Sequence, residues 1–97
     1  MSDRVQLRPA DFVVGMRLTV ERTEPPLALE VGEVKLHAAH ALREGQPFSV
    51  QLVGGPSDRF LPQGTHGFTH PDLGRVELFV VPLGPEGPSM RYEIVFN

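Results

Sequence analysis

The chain holds four histidines in two close pairs, His37 with His40 in "HAAH" and His66 with His70 in "THGFTH". Histidines at such spacings serve as metal ligands or as acid–base groups. The outcome depends on the element that carries them. Residues four apart on a strand point to the same side, but strand rise sets their Cα atoms about 13 Å apart. One zinc ion with zinc–nitrogen bonds of about 2 Å cannot span that gap. "THGFTH" reads as a short strand, so His66 and His70 are expected as half-exposed strand residues around Phe68 and not as a metal clip. His37 and His40 end a strand or open a turn of helix. On a helix that pair could chelate, but no Asp or Glu lies inside the motif, and the nearby Glu44 completes no recognised pattern. A site built from both pairs stays open on sequence alone. No metal and no cofactor is expected.

Nucleophilic catalysis has little to start from. The serines are Ser2, Ser49, Ser57 and Ser89. Ser57 lies in "GGPSDRF" beside Asp58, where consecutive backbone N–H groups could form an anion nest, although the same residues make an ordinary turn. No G-x-S-x-G, Walker or dinucleotide-binding pattern is present. The expectation is a protein that is not an enzyme.

Composition narrows the remaining classes. The chain has 97 residues, which suits a single domain over 1–97 with one core. There is no cysteine, hence no disulfide and no thiolate site. No run of about 18 apolar residues exists, so no membrane-spanning helix is expected. The opening "MSDRVQLRPADF" has charges where a signal peptide has its apolar region, which predicts a cytoplasmic protein, or one that leaves without a cleaved signal. The net charge is −3 and the arginines are scattered. Counterion release from phosphates would be weak, so nucleic acid is not an expected partner. Ten glycines and ten prolines separate apolar runs, as turns punctuate a β domain.

These elements must position any site. "RPADFVVG" predicts a short N-terminal helix, with Pro9 at its first position, Asp11 in the first turn, Gly15 as its stop and Phe12 as its anchor to the core. Strands follow at "MRLTVER", "LALEVGEVKLH", "FSVQL", "THGFTH", "RVELFVVPL" and "SMRYEIVFN", each alternating with period two. The alternation slips phase at Gly32, which predicts a β-bulge. The fold class is all-β with one short helix: an antiparallel six-stranded sandwich or partly closed barrel. The "PDLG" connection admits two registers. A four-residue loop pairs His66 with Phe79, and a three-residue loop with a bulge at Gly74 sends Phe68 toward Val76.

The last hairpin carries the functional question that remains. Pairing Val76 with Phe96, Leu78 with Ile94 and Val80 with Tyr92 makes one face a ladder of large apolar pairs. The opposite face then holds Phe79, Val81 and Val95, where a wetted face would be polar. Three readings stay open: the N-terminal helix covers them, they belong to a second layer, or they form an exposed patch that binds a partner.

The segments "LPQGTHGFTHPDLGRVELFVVPLG" and "MRYEIVFN", with "DFVVGMRLTV" and "PFSVQLVGG" before them, resemble a family of small uncharacterised bacterial all-β domains, the DUF6916 type. The resemblance spans nearly the whole chain. Its pattern runs close to LPQGTY-x-x-x-HP-x-LG-x-x-x-LFLVP and then YE-x-VFN. His66 stands where the pattern favours tyrosine, which speaks for packing and against catalysis at that position. The resemblance implies an all-β domain with no assigned activity and no site residues to carry over. It also implies a setting among phage-tail-like proteins, hence a structural or binding part. The leading expectation is a non-enzymatic interaction domain that contacts a protein partner or itself, with Phe79, Val81 and Val95 as the candidate patch, and an assembled particle as one setting for it. Behind it stand a small-molecule-binding β-barrel whose ligand the sequence does not name and, more distantly, an enzyme using the histidines.

Overall fold

Alternating apolar and polar side chains force strands on most of this chain, because each strand then buries one face. A computed structural model describes residues 7–37 and 47–96. Six strands follow one another: β1 (Arg17–Val20), β2 (Leu27–Leu36), β3 (Phe48–Pro56), β4 (Gly64–His70), β5 (Gly74–Glu86) and β6 (Ser89–Phe96). Every neighbouring pair is antiparallel. The ring order is β1-β2-β3-β6-β5-β4, closed on itself. The expected six-stranded antiparallel architecture is therefore present, as a closed barrel. Closure rests on a short seam in which Thr19 faces Thr69 and Val20 faces Phe68.

Inward residues from all six strands form one core, including Leu18, Leu29, Val50, Phe68, Leu78 and Tyr92. Each fully buried side chain of this size stabilises the fold by about 1.5–3 kcal/mol. The expected bulge lies between Val31 and Glu33, at Gly32. After the phase slip it returns Val34 to a half-buried position against the core, while Leu36 at the strand end stays exposed.

The two ends of the barrel are closed differently. The β3–β4 connection crosses one end, over the β5–β6 turn. There the Ser57 N–H donates to the Pro88 carbonyl at 2.9 Å, and the Leu61 N–H donates to the Tyr92 hydroxyl at 2.9 Å, with the Leu61 side chain in the core. Phe12 closes the other end. Its ring lies 6.1 Å from Phe48 and 5.6 Å from Phe96, which stack on each other at 4.4 Å.

Phe12 is the anchor expected, but the helix around it is not formed. A single 3-10 turn spans Pro9–Asp11, and Phe12 is already extended. The β-branched pair Val13 and Val14 disfavours a helix. Gly15 takes a φ of 95°, and its N–H donates to the Val31 carbonyl at 2.8 Å. The segment thus leaves its turn to pair with β2.

The last hairpin differs from the expected register. Its ladder runs from Val81↔Glu93 and Pro82↔Tyr92 to Glu86↔Ser89, with an irregularity between Pro82 and Gly84. The expected pairs Leu78–Ile94 and Val80–Tyr92 are not formed. Two residues of offset separate Val81↔Glu93 from the expected Val81–Arg91. An even offset keeps every side chain on its expected face, and Val76, Leu78, Val80, Tyr92 and Ile94 are all buried. For β4 and β5 the three-residue loop is the one adopted: Phe68 faces Val76, His66 faces Leu78 and His70 faces Gly74. Gly74 has a φ of 78°, a turn conformation that suits glycine.

Candidate functional site

His70 lies at the end of β4, 2% exposed, and not half-exposed as its strand position suggested. Its Nδ1 accepts the backbone N–H of Asp72 at 3.0 Å and that of Leu73 at 3.2 Å. Nδ1 therefore carries no proton, and Nε2 donates to the Asp11 carbonyl at 2.6 Å. The ring meets Phe12 edge-on at 5.8 Å. One side chain thus closes the "PDLG" loop and ties it to the N-terminal turn, with both nitrogens engaged by backbone.

His66 lies two residues before Phe68 on the same side of β4. It is half-buried, and its Nε2 binds the Pro62 carbonyl at 2.8 Å. The two histidines share a side, as their spacing requires, but each is held by a separate backbone carbonyl. His37 Nε2 is 3.0 Å from the Ser49 hydroxyl, while His40 lies outside the described residues. Among the described residues, no three potential metal ligands converge. In the glycine loop, the Ser57 N–H goes to Pro88 and the Arg59 N–H to Pro56 at 3.3 Å, so those N–H groups do not form a nest for an anion.

Among the grooves that open on the surface formed by the described residues, three bear on the candidate residues. One of about 430 Å³ runs past His66 along the β1–β4 seam. Arg75 dominates it, with Nε 3.0 Å from Glu21 and Nη2 3.1 Å from Glu77. Hydrogen bonds to Glu21 first, then to Glu77, raise the Arg75 pKa above its ordinary value. Gly67 makes room for this network, since a Cβ there would sit 2.5 Å from Glu21 Oε1. A second groove of about 160 Å³ lies at the Gly32 bulge, beside Arg91 and Glu86. The third, about 490 Å³, separates the β1–β2 turn from the β3–β4 connection. Pro25, Pro26, Leu27, Pro56 and Phe60 wall it, with Arg59 and Glu24 at its rim. "TEPP" and "GGPSDRF" read only as breaks between strands in the sequence. The barrel topology brings them together across the 27 intervening positions 27–53, and no local pattern signals that.

The outer face of β5 and β6 carries the candidate patch. Phe79 is 52% exposed and Val95 51%, while Val81 is half-buried. Phe12 packs inside the barrel end, so the N-terminal turn does not cover them. The β5–β6 ladder begins at Val81 and Glu93; Phe79 pairs instead with Thr65 of β4 and Val95 with Ser49 of β3. The two side chains therefore border the stretch where β5 and β6 are no longer laddered.

A family model described as "Domain of unknown function (DUF6916)" matches residues 7–96. The chain belongs to that family. The DUF6916 match runs from Leu7, just before the 3-10 turn, to Phe96 at the end of β6, and so covers the whole barrel. No curated protein and no solved structure matches the chain. Among the described residues, no helix is long and apolar enough to cross a membrane.

Proposed function

We propose that this DUF6916 domain is a non-enzymatic contact module that meets a protein through the outer face of β5 and β6. The observation that carries this is the exposure of Phe79 and Val95 on a barrel whose core is already filled by its own side chains. Exposed single apolar residues are common, but two on neighbouring strands with half-buried Val81 beside them make a continuous apolar surface. The engagement of His66 and His70 by backbone carbonyls also supports the reading, because it leaves them structural work rather than acid–base work. The partner is another protein or a second copy of the chain. The resemblance of "LPQGTHGFTHPDLG" and "MRYEIVFN" to small bacterial domains of phage-tail-like settings supports placing that contact in an assembled particle.

Photo-crosslinking from position 79 tests the proposal in the cell that makes the protein. A photoreactive phenylalanine analogue at Phe79 is expected to capture a defined protein band. The same analogue at Glu30, exposed on β2, is the control. Equal capture from both positions, or none from 79, would sink the contact reading.

A further inference from the structure

We propose that copies of this chain dock head to tail, the Phe79 face of one seated in the proline-walled end groove of the next. This rests on the contact reading above and adds the partner: a second copy.

The groove supplies a receptor for an aromatic side chain. Its volume of about 490 Å³ falls in the range of preformed binding clefts. Pro25, Pro26 and Pro56 wall it, and proline's fixed φ makes those walls stiff, so little ordering is needed on binding. Phe60 stands at the groove 48% exposed. Phe79, more exposed still, is the aromatic available to stack on it.

Charge fits the same pairing. Arg59 on the groove rim forms no ion pair among the described residues, and neither does Glu93, the cross-strand partner of Val81. Arg91, also on the outer face of β6, is already turned to Glu86 at 3.7 Å. Glu24, also on the rim, would repel Glu93, so the seating places Glu93 on the Arg59 side.

Topology decides the kind of assembly. In the ring β1-β2-β3-β6-β5-β4, β5 lies opposite β2. Phe79 is on β5, whereas the groove is lined by the β1–β2 turn as far as Leu27, the first residue of β2, and by Gly55–Leu61, with no β5 residue among them. A copy cannot fill its own groove, and a bound pair leaves one face and one groove free. The contact is heterologous, so it adds copies beyond a pair, as a closed ring or an open filament.

Complementation by sedimentation velocity tests this. Wild type is expected to form species beyond a dimer that grow with concentration. Phe79→Glu keeps its groove and loses its face; Phe60→Asp keeps its face and loses its groove. Each alone is expected to be monomeric, and an equimolar mixture to give a one-to-one dimer that grows no further. Arg59→Glu, at an exposed position, should weaken association at least about tenfold, and adding Glu93→Arg should restore it. That charge swap carries the test if Phe60→Asp fails to fold. Wild type that stays monomeric overturns the proposal, as does a mixture without dimer or a charge swap without rescue. If Phe79→Glu abolishes association while Phe60→Asp and Arg59→Glu leave it intact, the faces meet each other. Head-to-tail docking is then wrong and the contact module stands. A monomer that crosslinks from position 79 to a different protein separates the two readings in the same way.

Discussion

His70 and His66 look alike in the sequence and do different work in the fold. His70 satisfies two backbone N–H groups and one carbonyl in the interior, whereas His66 holds one carbonyl at a half-open position. Stranding a buried polar group costs about 1–3 kcal/mol. His70→Ala is therefore expected to lower stability by about 2 kcal/mol or more in a urea titration, and His66→Ala by less than about 1 kcal/mol. Equal losses would contradict these roles. Tyr92 gives a second test. Burial raises its pKa above the ordinary 10.0, against the opposing pull of the Leu61 N–H. The folded state thus favours the neutral phenol. That contribution is complete below pH 10, the ordinary value, and is lost as pH rises through it toward the raised folded value. Tyr92→Phe should cost about 1–3 kcal/mol at neutral pH by orphaning the Leu61 N–H, and should flatten this part of the alkaline loss. Tyr92 is the chain's single tyrosine, so its ultraviolet titration in the folded protein reports this group alone.

At the scale of elements, the strands and the bulge at Gly32 were legible because period-two burial leaves a direct mark on the sequence. The hairpin register was not. "PLGPEGP" has the composition of a loop, yet β5 runs on through Pro82 and Pro85 to a two-residue turn at Gly87 and Pro88. Those prolines lie past Gly64↔Val80, the last β4–β5 pair. Their missing N–H groups leave no β4 ladder bond unmade, which is why a strand tolerates them there. The in–out pattern is the same in both registers, which differ by two residues, because side-chain direction repeats every second residue. Ile94 is buried in either register, and Ile94→Ala is expected to cost about 2–5 kcal/mol. A loss below about 1 kcal/mol in a denaturant titration would place it outside the core. The N-terminal helix fails to form for another reason. Pro9, Asp11 and Gly15 are sound start and stop signals, but pairing of the segment with β2 outweighs a weak local preference.

At the scale of the molecule, barrel closure leaves few free edges, and plugs at both ends leave the sides and grooves as the surfaces for contact. The sequence exposed Phe79, Val81 and Val95 as an anomaly of alternation but did not say what faced them. Nor did it show the groove, which depends on two distant turns meeting. Under the proposed contact role, Phe79 serves a partner and not the fold. Urea denaturation of Phe79→Glu, at a concentration where the protein is monomeric, tests this most directly. A carboxylate in water at an exposed strand position should change the unfolding free energy by no more than about 0.5 kcal/mol. A loss of about 2 kcal/mol or more would mean that the side chain is buried within its own chain, since burying an unpaired charge costs several kcal/mol, and would contradict the contact-face account.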